Sequence, residues 1–336
     1  MKLNPLTIKK IRRFQSIRRG YFSLILFALM ILFSLSAELF INSRALIVHY
    51  NGRYYFPTYR QMIPGKNFGL DYDYETNYRN LKEYFAQEGK SNWVLLPPVP
   101  YNAYENDLKE DAFPPFPPSL KTRHFLGTDA VGRDVLARLV YGFRIAIFFS
   151  LGLLAADYLI GISIGCAMGY FGGKFDLFFQ RVIEIWSNVP FLYVIIIISS
   201  IVSPSFLMLI LIMAFFGWIG MTWTMRTVTY KEKAREYVLA ARALGASDFG
   251  LSSDISSPTR LLPLLSPISL FRVRRNCGFD LFGLSGTDFP PPTPSWGRTI
   301  AAGLANMSAW WIAGSVIGAM IVTLITVTYL CCPGSF

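Results

Sequence analysis

The chain has 336 residues, of which 53% are hydrophobic, and its mean hydropathy of +0.38 is too high for a typical soluble protein and fits a polytopic membrane protein with a soluble insert. Its formal net charge is +11, and in a membrane protein such an excess usually lies on cytoplasmic segments. No soluble stretch carries a basic stripe interleaved with aromatic residues, so a nucleic-acid partner is not expected.

Residues 1–20 form a basic segment without acidic residues, and an apolar run follows them. The run is about 20 residues long, which is enough for a helix that crosses the hydrocarbon core. A cleavable signal peptide has a shorter apolar core and a small-residue cleavage site. We therefore predict a cytoplasmic N-terminus at 1–20 and a first transmembrane helix at 21–42.

Residues 43–144 form a polar insert rich in tyrosine, proline and asparagine, and this orientation places it on the far side of the membrane. Residues 54–57 and 92–96 are predicted to be strands, and 113–118 to be extended chain of the polyproline type. None of the four cysteines lies in the insert, so no disulfide is expected there. The aromatic residues fit either a small folded cap or a surface that contacts a substrate-delivering partner.

The insert ends in a polar motif at 124–144 that leads into the next apolar run. A turn at 127–129 is predicted to cap the following helix through its threonine or aspartate side chain. Arg133, Asp134 and Arg138 then lie at helical spacing and are expected to pair with one another.

His124 begins this motif and is a candidate metal ligand or base. The chain has only one other histidine, His49, and no cysteine lies nearby, so a zinc site lacks ligands. The sequence also lacks HExxH and Ser–Lys patterns that would support an intramembrane enzyme. We therefore predict a structural histidine, no metal site and no catalytic residue.

Residues 145–332 are predicted to form the transmembrane core. Its apolar runs lie at about 145–168, 178–202, 206–225 and 310–330. The first run carries glycines suited to close helix packing in lipid, namely Gly152, Gly161, Gly165 and Gly169. Asp157 lies within it and is either a pathway residue or a structural polar contact. Pro190 is expected to kink the second run.

Residues 236–248 form a short, alanine-rich, charged segment between apolar runs. Alanine favours a helix, and Gly245 suits the left-handed position that closes one. Basic residues cluster around the segment, so the loop at 226–258 is predicted to be cytoplasmic. On composition alone this is an interfacial helix that either connects two spans or offers a thin surface to another protein.

Three parts of the chain resemble one protein family. Glu236, the pair Ala240-Ala241 and Gly245 resemble the EAA loop of ABC-importer permeases, which is their ATPase-coupling helix. The motif at 124–144 closely resembles the segment that precedes the core in the dipeptide/oligopeptide class. The motif residues carried over from this resemblance, together with those of the Gly-Tyr-x-Gly-Gly turn at 169–173, are Gly127, Thr128, Asp129, Gly132, Arg133, Asp134, Gly172 and Gly173.

The resemblance implies an all-α polytopic protein of the ABC type-1 importer fold, with an extracytoplasmic insert after the first helix. It implies a multi-pass permease of the bacterial inner membrane that carries peptides or peptide-like compounds. Residues 18–21 and the Tyr-rich insert further resemble the permeases of microcin C/oligopeptide-type importers of Gram-negative bacteria. A second permease, a periplasmic solute-binding protein and a cytoplasmic ATPase that binds the ATP would be its partners.

The chain itself contains no Walker motif, so no cofactor and no enzymatic activity are expected in it. The alternative to an ATP-driven permease is a channel or facilitator that works without an ATPase. The two differ in whether deleting the EAA-like helix abolishes co-purification of an ATPase.

Residues 249–278 depart from the family pattern, because they offer only a short, proline-containing apolar stretch followed by arginines where a further span is expected. A reading-frame error explains this, since GLSSDISSPTR can be back-translated so that a shifted frame reads FIFRHILPNA, close to the expected motif. A second slip would explain the C-terminal residues from 331. Resequencing the gene tests both, and an unbroken frame would rule them out.

Overall fold

A computed structural model describes residues 15–60, 62–88, 92–108, 112–202, 205–245 and 292–331. The frame-error hypothesis at 249–278 and at 331–336 therefore concerns residues outside the described part of the chain, apart from Cys331, which ends the last described helix. The chain divides into two compact units, residues 1–146 with 280–326 and residues 147–279 with 327–336.

The described residues are mostly helical, as predicted. The helices are α1 Arg18–Leu35, α2 Ala37–Phe40, α3 Tyr78–Glu88, α4 Val135–Phe171, α5 Gly173–Ser187, α6 Phe191–Ile201, α7 Phe206–Lys233, α8 Glu236–Ala243, α9 Trp296–Ala305 and α10 Trp310–Cys331. The strands are β1 Ile47–Tyr50, β2 Arg53–Tyr55 and β3 Trp93–Leu95, and short 3-10 turns lie at Pro57–Tyr59 and Gly65–Phe68.

Within the described ranges, four helices are long and apolar enough to cross a membrane, namely α1, α4, α7 and α10. The predicted run at 178–202 is instead divided between α5 and α6. Pro190 breaks the helix completely, so the predicted kink was wrong, because proline lacks the N–H that a helix needs and disfavours helical conformation in the residue before it.

The insert folds around a three-stranded antiparallel sheet in the order β2-β1-β3. Both predicted strands are confirmed, at 53–55 and 93–95. β1 and β2 are joined by a turn in which Asn51 and Gly52 both have positive φ, as an Asn-Gly hairpin turn requires. One face of the sheet covers an apolar core that includes Val48, Phe68 and Leu81, so the insert has its own folded cap.

In the second unit, α4 and α7 pack closely through the predicted glycine stripe. Each glycine faces a residue of α7, Gly152 with Ile210, Gly161 with Met221, Gly165 with Thr222 and Gly169 with Thr229. The residue numbers of the α4 glycines and of their contacts on α7 increase in the same direction. The two helices are therefore parallel, and their C-terminal ends lie at the same end of the unit. Two parallel spans need one return crossing between them, and α5 and α6 are the described helices that lie between α4 and α7 in the sequence.

Candidate functional site

The alanine-rich segment forms the predicted short helix, α8, directly after α7. Gly245 has φ +85°, which confirms the left-handed position after the helix. Before it, the backbone N–H of Leu244 donates to the carbonyl oxygen of Ala240 at 3.0 Å and completes the last helical turn.

The helix has one buried and one exposed face. Val238 is 2% exposed and packs with Tyr170, and Ala241 lies half-buried beside them. Glu236 and Ala240 are exposed. The structure therefore brings the predicted coupling residues onto one helix, with Ala241 partly turned toward the rest of the unit.

α8 packs against Tyr170 at the end of α4, and we call this Tyr170–Val238 contact the seat of α8. Its ring contacts Val238, and its carbonyl oxygen accepts a hydrogen bond from the ammonium group of Lys233 in the last turn of α7. The same ammonium lies 5.4 Å from the centroid of the Tyr170 ring. The end of α4 therefore contacts both α8, through Val238, and the last turn of α7, through Lys233.

The Gly-Tyr-x-Gly-Gly motif turns the chain from α4 into α5 right after this seat. Gly172 and Gly173 have φ values of +63° and +53°, which residues other than glycine rarely adopt. The two glycines therefore allow the chain to turn. Tyr170, which precedes them at the end of α4, packs against α8.

Asp176 links the start of α5 to the end of α7. Its carboxylate accepts two hydrogen bonds from Arg226, at 2.6 Å from Nε and 2.7 Å from Nη2, and further bonds from Tyr230 at 3.1 Å and Gln180 at 2.9 Å. Sequence reasoning missed the pair of Asp176 and Arg226 because its members lie 50 positions apart.

Replacing Asp176 with asparagine is expected to loosen this end of the unit. The amide is uncharged and offers one acceptor oxygen in place of two, so the bidentate ion pair with the half-buried Arg226 guanidinium is lost, and we expect a loss of about 2 kcal/mol in the free energy of unfolding. Glu184→Gln is the matched control, because it removes only the exposed i,i+3 pair with Arg181 and should cost no more than about 1 kcal/mol. Thermal unfolding of the purified chain in detergent measures both, and equal losses would contradict the role of Asp176.

Asp157 is 1% exposed and lies on the α4–α7 seam. A Cβ atom added to Gly217 would be only 2.5 Å from its Oδ1 atom, so α7 passes directly over this carboxyl group. The geometry favours the structural contact over the pathway role within this chain, and a role in the pathway stays a prediction.

In the other unit, His124 lies between two carboxylates. Its Nδ1 is 2.8 Å from Asp134 Oδ2 and its Nε2 is 3.2 Å from Asp107 Oδ2, while its ring stacks on Tyr101 at 3.9 Å between centroids. Ionised carboxylates only accept hydrogen bonds, so the charged imidazole, which donates from both ring nitrogens, is the form that satisfies Asp107 and Asp134 together. These contacts agree with a structural histidine, which stays a prediction.

The predicted cap and pairs of this motif are corrected in detail. Asp134, not the turn at 127–129, caps α4 by accepting from the backbone N–H of Ala137 at 2.7 Å. Since Asp134 is engaged in this way and by His124, Arg133 and Arg138 pair instead with Asp129, at 3.6 and 3.7 Å.

The remaining motif residues fix the path of the backbone. The Thr128 hydroxyl accepts from the N–H of Phe116 at 2.7 Å. Gly127 and Gly132 have φ values of +73° and +87°, and a Cβ atom at Gly127 would lie 2.7 Å from the indole nitrogen of Trp311. The motif thus joins the insert to α4 and to the start of α10, a role that sequence reasoning did not foresee.

The charge on His124 predicts a pH-dependent stability of the insert. Burial lowers its pKa, but the hydrogen bonds and charges of Asp107 and Asp134 outweigh burial, so the pKa is raised above its ordinary value. A raised folded-state pKa stabilises below the unfolded-state pKa, and this contribution is lost as the pH rises through the folded-state pKa. Thermal unfolding midpoints should fall over that pH window in the wild type and much less in His124→Gln. Identical pH profiles would contradict the prediction.

Comparison with known proteins shows which family and which relatives the chain is similar to. A family model described as a binding-protein-dependent transport system inner membrane component matches residues 161–331. The chain is 33% identical to the inner membrane ABC transporter permease protein YejE of Escherichia coli K12, over 93% of this chain and 90% of the relative. It is 33% identical to the peptidoglycan transport system permease protein YejE of Agrobacterium fabrum, over 92% and 86%. It is 29% identical to the dipeptide transport system permease protein DppC of Bacillus subtilis, over 63% and 65%.

Proposed function

Because the chain belongs to the family of binding-protein-dependent transport system inner membrane components, we propose that it is the permease subunit of an ATP-driven importer for peptides or peptide-like compounds. The observation that carries the proposal is α8, an exposed helix of small residues seated on the ends of two membrane-length helices. The peptide class is supported by the relatives, whose names specify dipeptide, oligopeptide and peptidoglycan transport.

Under this proposal a separate cytoplasmic ATPase binds ATP and receives α8. Glu236, Ala240, Ala241 and Gly245 form or frame the contact, and the small alanines and glycine among them allow close approach. A second permease completes the pathway and a periplasmic solute-binding protein delivers the peptide. The chain contributes no ATP-hydrolysing residue and acts only as the transport subunit.

The seat of α8 supplies a route for mechanical work. When the ATPase moves α8, Val238 pushes on Tyr170 at the end of α4, and Lys233 carries the displacement into α7. The bidentate pair between Asp176 and Arg226 extends it to α5. Helices linked in this way move as a group, as alternating access between the two sides of the membrane requires.

The membrane topology of the proposal places the N-terminus and α8 in the cytoplasm and the insert in the periplasm. Cysteines introduced at Leu244, which is 89% exposed, and at Phe113, which is 97% exposed, test it in a background without the natural cysteines. A membrane-impermeant thiol reagent added to intact cells should label Phe113→Cys and leave Leu244→Cys unlabelled until the membrane is opened. Labelling of Leu244→Cys in intact cells would refute the proposal.

Reconstitution tests the transport function directly. The chain, placed in proteoliposomes with its proposed partner permease and ATPase and supplied with the solute-binding protein on the substrate side, should accumulate labelled trialanine only when ATP is supplied. Equal accumulation without ATP would instead support a facilitator. Failure of the ATPase to co-purify with the intact chain would remove the role assigned to α8.

A further inference from the structure

A groove of about 290 Å³ lies along the C-terminal part of α4, and α7 contributes Thr229 to its other side. Its residues on α4 form two rows at the four-residue spacing of a helix face, Ile162, Cys166 and Tyr170 in one and Ser163, Ala167 and Phe171 in the other. At 1.5 Å per residue the groove is about 12 Å long and follows the helix axis. Because α4 is long and apolar enough to cross a membrane, the groove lies along the direction of the lipid chains.

The lining of the groove is uncharged and mostly apolar. The groove begins within the apolar run at about 145–168 and ends just beyond it at Tyr170 and Phe171. Phe171 is 64% exposed and Ser163 is also exposed, so within the described part of the chain the groove opens at the surface of the second unit. Its shape and lining suit an apolar chain that enters from the end of the span.

Lys233 places a positive charge at that end of the groove. Its ammonium group donates to the carbonyl oxygen of Tyr170 and lies 5.4 Å from the centroid of the Tyr170 ring. This bond uses one of the three donors of an ammonium, and the other two can bind a further acceptor. Lys233 is partly exposed and has a flexible stem, so the charge can reach a ligand at the mouth of the groove.

The acids at this end of the unit are paired with other cations. Asp176 binds Arg226 at 2.6 Å, and Glu232 binds Arg235 at 2.9 Å. Among the residues that the structure describes, Lys233 has a carbonyl oxygen and a ring as partners and no carboxylate. Its charge is therefore not neutralised by an acid of the described chain, and the mouth of the groove favours an anion.

An anionic phospholipid offers both required features in the right order. Its phosphate lies at the membrane interface and accepts a charge-assisted hydrogen bond, and its acyl chains extend from there into the hydrocarbon. Basic pockets between spanning helices bind lipid headgroups in this way. A free phosphate ion would leave the apolar groove unfilled, and an apolar helix of another subunit would leave the charge of Lys233 without an anion.

We propose that this groove binds an anionic phospholipid of the leaflet on the α8 side, with the phosphate on Lys233 and one acyl chain along α4 from Tyr170 to Ile162. Because Tyr170 also forms the seat of α8, the bound lipid lies directly beside that contact. The inference goes beyond the proposed function, since lipid binding at this place requires neither a peptide nor an ATPase.

Photocrosslinking of the full chain in phosphatidylcholine nanodiscs tests the site. A small fraction of the lipid is replaced by phosphatidylglycerol that carries a diazirine on one acyl chain, and the crosslinked residues are located by mass spectrometry. We expect the crosslinks to concentrate in residues 162–171. The same fraction of diazirine-labelled phosphatidylcholine should label these residues about tenfold less, because its headgroup has no net charge to pair with Lys233.

Two variants separate the headgroup contact from the chain contact. Lys233→Gln keeps a donor for the Tyr170 carbonyl oxygen but removes the charge, so it should lower labelling by phosphatidylglycerol about tenfold and leave labelling by phosphatidylcholine unchanged. Ala167→Leu fills the groove and should lower labelling by both probes. Lys231→Gln is the matched control, since it removes an exposed basic residue from the same last turn of α7 and should leave the labelling as in the wild type.

Four outcomes would overturn the proposal. Crosslinks spread evenly over α4, α7 and α10 would show contact with bulk lipid only, and an absence of crosslinks at 162–171 would show that another segment or subunit covers the groove. Equal labelling by the two probes, or wild-type labelling in Lys233→Gln, would remove the role of the charge. Because the assay uses no ATP and no peptide, its failure is distinct from an absence of ATP-driven uptake.

Discussion

Replacing Ala240 with arginine is expected to abolish ATP-dependent peptide uptake while the chain stays folded. Ala240 is exposed on α8, so within the described part of the chain a larger side chain there extends into open space. Against an ATPase that lies close to the helix, the same side chain adds both bulk and an unpaired charge. We expect uptake by proteoliposomes to fall to background and the ATPase to be lost from the purified complex.

Ala240→Ser is the matched control, because it changes the same position with little added volume and should retain most of the uptake. Val238→Ala tests the opposite face, where the loss of a buried contact with Tyr170 should loosen α8 without removing the ATPase-facing surface. Wild-type uptake in Ala240→Arg would show that this face of α8 does not meet the ATPase.

The second large effect is expected at Gly165, where α4 and α7 are in closest contact. A Cβ atom there would lie 2.5 Å from the carbonyl oxygen of Thr222 and 2.8 Å from the Cβ of Met225. Because the nearest atom belongs to the backbone, it cannot turn aside as a flexible side chain can. We expect Gly165→Ala to cost roughly 1–3 kcal/mol in the free energy of unfolding and Gly165→Leu to prevent close packing of the two helices altogether.

The buried Cys166 beside this contact reports the result. In a chain whose other three cysteines are serine, a thiol-reactive dye should label Cys166 at a lower temperature in Gly165→Ala than in the parent. Gly318→Ala is the matched control, since a Cβ atom at Gly318 meets nothing within 4 Å in the described part of the chain. Equal labelling temperatures in the two variants would contradict the packing described for α4 and α7.

Features that depend on a few neighbouring residues were predicted from the sequence. The alanine-rich helix at 236–243 and its closing glycine follow from helix propensity and from the left-handed backbone that only glycine adopts easily. The glycine stripe of α4 was found because glycines at helical spacing in an apolar run have few other uses.

Features that depend on contacts between residues far apart in the sequence were not predicted. The carboxylate that an arginine selects is set by the tertiary fold, so Asp176 with Arg226 was missed, and Arg138 was assigned to Asp134 instead of Asp129. The Tyr170–Val238 seat was missed for the same reason, although an apolar valine within a charged, exposed segment was a usable signal. The break at Pro190 shows a local rule applied too weakly, because proline can end a helix as well as bend it.

Because α4 is synthesised before α7, the contact between the two helices cannot form until α7 has been made. The acid of α4 and the glycine that covers it, Asp157 and Gly217, are separated by chain that takes roughly 3 to 12 seconds to synthesise at about 5 to 20 residues per second. During that interval a newly inserted α4 carries the Asp157 carboxyl group in or near lipid before α7 covers it. We therefore expect a translocon or insertase to shield α4 until α7 arrives, and depletion of that factor should expose the nascent chain to proteolysis before any transport defect is measured.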